Sequence, residues 1–405
     1  MDLIVVGQGY VGLPLAVNAA KSGLITYGFD LNDQKIIGLK SGNSDSPEVI
    51  KDEILQLQED KKLFFVSELP PIESPCIFVI AVPTPLDINR KPDLTPLRGA
   101  CESIAKVIKD GSLVINESTS FIGTLNKFIA PLIKSLSNLK NIEFAVAPER
   151  IDPGNIVWNM KTTPRILAGS TSDSTRRAIE FYENFCDSIC AVSSPEVAEA
   201  AKLFENTFRQ VNIALVNDLT RISQKLNFST HEIITAAATK PYGFMPFYPS
   251  IGVGGHCIPV DPIYLEYSAE LQGETLQLIS LANQINFETP KKVAEKIQCL
   301  FAEGFESKKI QIAGLSYKPN IADLRESPVI PLIENLIKLG ASVTWHDPIV
   351  KSWNNQTSLP LQTDIDLGLI VTPHDEIDFT VWINSNIKVL DLSANSINFG
   401  WPKFI

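Results

Sequence analysis

Residues 3–12 read LIVVGQGYVG. Four continuous apolar, mostly β-branched residues predict a strand buried on both faces, and the apolar pattern over about 11–22 predicts a helix opening on the last glycine. Gly7 allows a tight turn, Gly9 lets a pyrophosphate approach the backbone, and Gly12 lets helix meet strand, while the helix N-terminus attracts negative charge. A second predicted strand, ITYGFD (25–30), ends on Asp30, 18 residues after Gly12. A carboxylate there bonds ribose hydroxyls and repels a 2′-phosphate, which favours NAD over NADP. On these residues alone, a purely structural glycine turn or a flavin site of the same shape stays open.

Beyond this segment, 405 residues exceed one ordinary core, at a prior of about one domain per 150 residues. A content of 44% hydrophobic and 20% charged residues predicts a packed soluble chain. A formal charge of -11 without a Lys/Arg-rich run argues against nucleic acid as a partner. No apolar run reaches the roughly 18 residues of a membrane span, and the N-terminus passes directly into the glycine turn without a leader pattern. Six sparse cysteines (76, 101, 186, 190, 257, 299) read as reduced thiols of a cytoplasmic protein. No metal site is expected.

Further strands are predicted at CIFVIAV (76–82), SLVINES (112–118), FAVAP (144–148) and RILAGS (165–170), with a helix over about 173–187. Strands alternating with helices predict a parallel, doubly wound sheet. From Pro195 to Leu226 there is no Gly and no Pro past the first position, which predicts one helix of roughly 45 Å. Ser194 and Pro195 supply its cap and first turn. After a helical middle segment interrupted by a Gly/Pro-rich loop (240–262), strand and helix alternate again: IQIAGLSY, a helix after Ser327, SVTWHD, DLGLIVT and KVLDL. The fold class is α/β: two Rossmann-like doubly wound domains (1–193 and 304–405) joined by a helical middle domain (194–303) with a long central helix. The later domain lacks the glycine fingerprint; it either binds a nucleotide with Lys318 facing phosphate or serves packing alone.

GVGGHCIPVDP (252–262) presents a single thiol. A nucleophilic thiol needs access, a base or positive field, and a place for an oxyanion. Gly254 and Gly255 permit close backbone approach, Pro259 and Pro262 stiffen the chain after the cysteine, and Asp261 is either an acid/base group or a turn cap. His256 is adjacent, and because neighbouring side chains diverge it is not expected to be the partner base. These residues leave Cys257 open between nucleophile and inert core thiol. Lys202, Asn206 and Arg209, spaced i, i+4 and i+7, share one helix face, where an ammonium beside a carboxamide suits an oxyanion. The ordinary alternative is that Lys202 pairs with Glu199 or Glu205 on a wet surface. Glu149, in Pro-Glu-Arg after an apolar strand, and Thr119, ending SLVINEST, stand at carboxyl ends of strands, where a crevice forms. Either can equally be a loop cap.

Taken in order, VGQGYVGLPLA, AVPTP (81–85), PDLTP (92–96), EST (117–119), APERIDPGN (147–155), EAAKLFENTFRQVNIALVND (199–218), GVGGHCIPVDP and GLSYKPNIADLRESP (314–328) resemble the UDP-glucose/GDP-mannose dehydrogenase family over nearly the whole chain. The resemblance implies four-electron oxidation of C6 of a UDP-sugar with two NAD. It implies that a water near Thr119 and Asp261 takes the hydroxyl proton, that Cys257 forms a thiohemiacetal and then a thioester, that Lys202 and Asn206 steady the oxyanion, and that Glu149 is the base for hydrolysis. It further assigns Gly7, Gly9, Tyr10, Val11, Gly12, Asp30, Lys35, Pro83, Thr84, Thr119 and Arg325 to the cofactor. To the substrate it assigns Glu149, Arg150, Lys202, Asn206, Arg209, Tyr248, Gly254 and Lys318. The segment TKPYGFMPFYP with GHCIP and PERIDPGN resembles the branch acting on UDP-N-acetylglucosamine, with the N-acetylmannosamine branch next. Asn283, Phe287 and Ser250-Ile251 depart from the family pattern. A homodimer or higher homo-oligomer is implied. A two-electron hydroxyacid dehydrogenase, which has no need of Cys257, and a sensor that binds without turnover are the rival readings.

Overall fold

The computed structural model describes residues 1–44, 46, 49–151, 157–394, 401 and 404. The chain forms β1 (Leu3–Val6), α1 (Gly12–Lys21), β2 (Thr26–Phe29), α2 (Asp33–Lys40), α3 (Lys51–Glu59), β3 (Leu63–Val66), β4 (Ile77–Ile80), α4 (Thr95–Ala105) and β5 (Leu113–Asn116). A π-helical turn (Leu125–Ile129) then runs into α5 (Ala130–Ser137), followed by β6 (Glu143–Val146), β7 (Arg165–Gly169), α6 (Ser172–Tyr182) and β8 (Ile189–Ala191). Next come α7 (Pro195–Lys225), α8 (Thr230–Ala238), α9 (Asp261–Glu270) and α10 (Gln277–Gln298). The last part holds β9 (Lys309–Ala313), α11 (Val329–Lys338), β10 (Ser342–His346), a short hairpin of β11 (Ser352–Trp353) and β12 (Gln356–Thr357), β13 (Leu367–Ile370), α12 (Thr380–Asn384) and β14 (Val389–Asp391).

The first sheet has the order β3-β2-β1-β4-β5-β6-β7-β8, so chain order reverses beside β1, where ligands of doubly wound sheets bind. All four residues of β1 are buried, as a strand covered on both faces requires. Leu3 and Val5 enter one core with Leu13 and Ala16 of α1, and Ile4 and Val6 enter the other with Leu97 and Cys101 of α4. The RILAGS strand departs from the expected alternation: β7 runs antiparallel to β6. No helix lies between Val146 and Arg165 among the described residues, so nothing carries the chain back across the sheet for a parallel return. The edge strands β3 and β8 were not expected either.

The second sheet, β10-β9-β13-β14, is wholly parallel. Ile310 and Ile312 face a core with Leu332 and Leu336 of α11, while Ala313 and Ile370 face Trp382 on the opposite side. The architecture is α/β with two Rossmann-like domains and a helical middle, as the alternation predicts. By contacts the chain divides into two compact units, Met1–Glu205 with Ile263–Gly273, and Asn206–Pro262 with Glu274–Ile405. The helices α7 and α9 each contribute residues to both units. No helix among the described residues is long and apolar enough to cross a membrane.

Candidate active site

In the first unit the glycine turn has the geometry its sequence predicts. Gly7 takes φ +97°, a conformation L side chains rarely adopt, and a Cβ there would lie 2.5 Å from the Ala81 carbonyl oxygen after β4. A Cβ on Gly12 would lie 1.9 Å from the Gly7 carbonyl oxygen, whereas a Cβ on Gly9 meets nothing within 4 Å. The residue before α1, Val11, provides no side-chain cap, and the first turn carries no acid. An open backbone at Gly9 and an uncapped helix start are what a pyrophosphate requires, so the turn fits a dinucleotide. Asp30 accepts hydrogen bonds from the Gln8 N–H (2.9 Å) and the Asn32 N–H (2.9 Å), with Lys35 Nζ 3.9 Å away. Tyr10 is exposed, Val11 half-buried, and Pro83 and Thr84 follow β4 at the same edge of the sheet.

Beside this turn, Ser118 Oγ donates to the Val82 carbonyl at 2.8 Å, tying the EST segment to AVPTP. Glu117 is buried with Arg165 at 3.1 Å and accepts from the Tyr182 hydroxyl, while the guanidinium stacks 4.8 Å over the Tyr182 ring. This charge cluster fixes the carboxyl end of β5, from which half-buried Thr119 emerges. The cluster was not expected, although a glutamate and an arginine inside apolar strands were its signal. Glu149 is half-buried and accepts from the Ile151 N–H. Arg150 grips Glu205 through Nε (3.0 Å) and Nη2 (2.5 Å) and donates to the Pro164 carbonyl (2.8 Å). Asp152 to Asn155 of APERIDPGN lie outside the described residues.

Lys202 does not stand on a wet helix face, since it is only 7% exposed. Of the two carboxylates considered beside it, Glu205 binds Arg150, and Glu199 accepts from the Gly123 and Leu125 N–H groups at 2.5 and 2.9 Å. Burial pushes the Glu199 carboxyl up to about 7 despite those hydrogen bonds.

The thiol loop belongs to the second unit. Pro290 sits inside α10, so the Asn286 carbonyl loses its helical donor, and Gly252 passes against that oxygen, where a Cβ would lie at 3.2 Å. Gly255 donates to the Arg325 carbonyl at 3.1 Å. A Cβ on Gly254 would stand 2.7 Å from Tyr317 Cβ and 2.9 Å from Pro328 Cδ, and one on Gly255 would stand 2.8 Å from the Tyr317 ring. These glycines admit the segment after β9 and dock the loop onto it.

Beyond them the Cys257 carbonyl accepts from the Val260 N–H (3.1 Å) and the Asp261 N–H (2.8 Å), one turn ahead of α9. Asp261 is 2% exposed and accepts from Asn206 Nδ2 at 2.5 Å. It therefore does more than cap a turn. Cys257 is half-buried, and no disulfide joins the cysteines among the described residues. The side chains of His256 and Cys257 do not diverge as expected: His256 Nε2 lies 3.6 Å from Cys257 Sγ. The chain bends at residues 255–257, which turns neighbouring side chains toward the same side instead of apart.

Arg325 clasps Asp323 through Nε and Nη2 at 2.6–3.1 Å. Burial opposes the Asp323 charge, but hydrogen bonds and charge from Arg325, with the charge of nearby His256, hold the carboxyl below the usual carboxylate range. Lys318 lies half-buried in the same segment, where Ser316 Oγ donates to its carbonyl at 2.9 Å. Below it, His374 Nδ1 accepts from the Asn320 N–H at 2.9 Å, which leaves Nε2 facing Asp347 at 3.0 Å and Ser316 Oγ at 3.1 Å. This buried cluster was likewise unexpected, and its only signal was the pair of histidine-bearing strand ends, WHDP and TPHD.

On α7, Arg209 is exposed; Tyr248 stacks on His231 at 5.4 Å. Of the departures from the family pattern, Asn283 accepts from Gln210 at 2.6 Å and Ser250 accepts through Oγ from Gly252 and donates to its carbonyl. Ile251 is core, whereas Phe287 is 71% exposed.

Three descriptions within one family match the chain in order: the NAD binding domain of the UDP-glucose/GDP-mannose dehydrogenase family over residues 1–186, its central domain over 196–288 and its UDP binding domain over 311–391. The UDP-N-acetyl-D-glucosamine 6-dehydrogenase of Pseudomonas aeruginosa is 35% identical over 359 residues, covering 87% of this chain and 84% of that one. The UDP-N-acetyl-D-mannosamine dehydrogenase of Campylobacter jejuni is 31% identical over 406 residues, covering 97% of each. Among solved structures, the UDP-N-acetylmannosamine dehydrogenase of Pyrococcus horikoshii superposes with a TM-score of 0.88 at 30% identity, covering 99% of this chain and 98% of that one. With a fitting dinucleotide turn and these three domains in sequence, the chain belongs to the UDP-glucose/GDP-mannose dehydrogenase family and is an NAD-dependent nucleotide-sugar dehydrogenase.

Proposed function

We propose that the chain oxidises C6 of a UDP-N-acetylhexosamine to the carboxylate through a thioester on Cys257, with UDP-N-acetylglucosamine as the preferred sugar. The observation that carries this reading is the thiol of Cys257 held one turn before a buried Asp261 that already engages Asn206. NAD supplies the hydride acceptor for both oxidations. A water positioned by Thr119 and Asp261 takes the C6 hydroxyl proton, and Cys257 captures the aldehyde as a thiohemiacetal. Lys202 and Asn206 donate to the oxyanion, and Glu149 activates the water that cleaves the thioester. Likeness to the glucosamine and mannosamine enzymes, and the GFMPFYP and GHCIP segments, support an N-acetylated sugar.

The test is a panel of UDP-glucose, UDP-N-acetylglucosamine, UDP-N-acetylmannosamine, UDP-N-acetylgalactosamine and GDP-mannose read by NADH absorbance. N-acetylated UDP-sugars are expected to win at two NADH per sugar, with Cys257→Ser losing at least about a thousandfold in kcat. One NADH per sugar, or full activity in that variant, sinks the thioester. The stripe of exposed Phe204, Phe208, Leu215 and Ile222 along α7 supports a homodimer, and sedimentation is the check. We further place the enzyme in the cytoplasm, where its thiols stay reduced.

A further inference from the structure

The thioester reading names a nucleophile but leaves the thiol proton without an acceptor. An unperturbed thiol, with a pKa of about 8.5, is only a few per cent thiolate at neutral pH. In that reading Asp261 and Glu149 are occupied with water and the sugar hydroxyl. We propose that His256 takes the proton from Cys257 Sγ and later returns it, acting as a catalytic base and acid for the thiol. This rests on the thioester reading and deepens it.

The geometry supports a direct transfer, with Nε2 at 3.6 Å from Sγ across a bent backbone. Gly255 at φ +84°, bonded to the Arg325 carbonyl and packed on Tyr317, holds that bend in place. Asp323, from the segment after β9, interacts electrostatically with the imidazole, and Arg325 clasps that same carboxylate. Asp323 favours an imidazolium, and Arg325 orients the carboxylate while tempering its charge. His256 is exposed, so its proton can exchange with water between turnovers.

In the capture step the S–H proton moves to Nε2, the sulfur electron pair forms the C–S bond to C6, and the carbonyl π pair moves to oxygen. When C6 gives its hydride to the second NAD, that oxygen pair re-forms the C=O bond of the thioester. Water then adds, giving its proton to Glu149, the C–S pair returns to sulfur, and the imidazolium reprotonates it, leaving acid and free thiol.

The test is the pH dependence of Cys257 alkylation by iodoacetamide, followed by peptide mass spectrometry on the full chain without nucleotides. Wild type is expected to titrate below the ordinary thiol midpoint of about 8.5. His256→Gln, an exposed substitution, is expected to raise that midpoint by about one unit and slow alkylation at pH 7 about tenfold. Superimposable profiles for the two proteins overturn the proposal. Because alkylation needs neither sugar nor NAD, the two readings fail separately. A raised midpoint with no NADH from any nucleotide sugar removes the proposed function and keeps the thiol pair, and NADH formation with an unshifted midpoint does the reverse.

Discussion

The two nucleotide-binding domains solve the same problem with different means. In each, the central strand beside the reversal of order ends in a glycine at positive φ, pressed on the carbonyl of the neighbouring strand's exit: Gly7 against Ala81, and Gly314 (φ +89°) against Thr372. After that glycine they diverge. The first chain segment enters α1 by residue 12, leaving uncapped helix N–H groups and bare backbone of the kind an anion requires. The second takes residues 314–328 to reach α11, and a buried histidine and aspartate hold that longer loop from beneath. The first turn is shaped by absent side chains, the second loop by present ones. The longer loop also has a second use, since it receives the thiol loop at Gly254 and Gly255.

The largest effect is expected at the element the two domains share. Gly314→Ala puts a Cβ 1.9 Å from the Thr372 carbonyl oxygen at a positive φ, and Gly7→Ala puts one 2.5 Å from Ala81. Each is expected to cost on the order of 3 kcal/mol or more in denaturant unfolding, the first more than the second. Tolerance of alanine at either place would show that its turn does not depend on the bare glycine.

Acid separates the domains next. Burial raises the Asp347 carboxyl, but hydrogen bonds from His374, Val350 and Leu315 outweigh it and bring it to about 2, below the ordinary 3.8. A depressed folded-state value stabilises above the unfolded one and is lost as pH falls through the folded one, here between about 4 and 2. The stake is about 2 kcal/mol. Calorimetry of wild type against Asp347→Asn should show that slope only in the wild type; an unchanged slope would place it elsewhere. Glu199 in the first unit has the opposite sign. Its raised carboxyl withdraws stability as pH rises from about 4.5 to 7, so Glu199→Gln should flatten melting temperatures over that range.

The smallest effect on stability carries the most about function. Gly9→Ala meets nothing within 4 Å, so unfolding should shift by less than about 0.5 kcal/mol while NAD affinity falls at least about tenfold by calorimetric titration. Unaltered affinity would move the pyrophosphate away from this turn.

Much of this was legible in the chain itself. The alternation of buried strands and helices, the uninterrupted helix from Pro195 and the spacing of Gly7, Gly9, Gly12 and Asp30 are local patterns, and local patterns follow from the periodicity and conformational limits of neighbouring residues. The order of motifs likewise pointed to the family. Other features depended on contacts between distant segments: the reversed β7, the Glu117–Arg165–Tyr182 cluster and the His374–Asp347 support. Lys202 shows the limit well, because helix spacing placed it on a face with exposed Arg209 but only packing buried Lys202 itself. Residues 254–257 show it twice over. Their glycines announced a close approach, yet it took the folded arrangement to fill that space with Tyr317 and Pro328 and to set an imidazole beside the thiol through the resulting bend. Sequence determines what conformations a segment permits; which permitted one it takes is settled by the surfaces that pack against it.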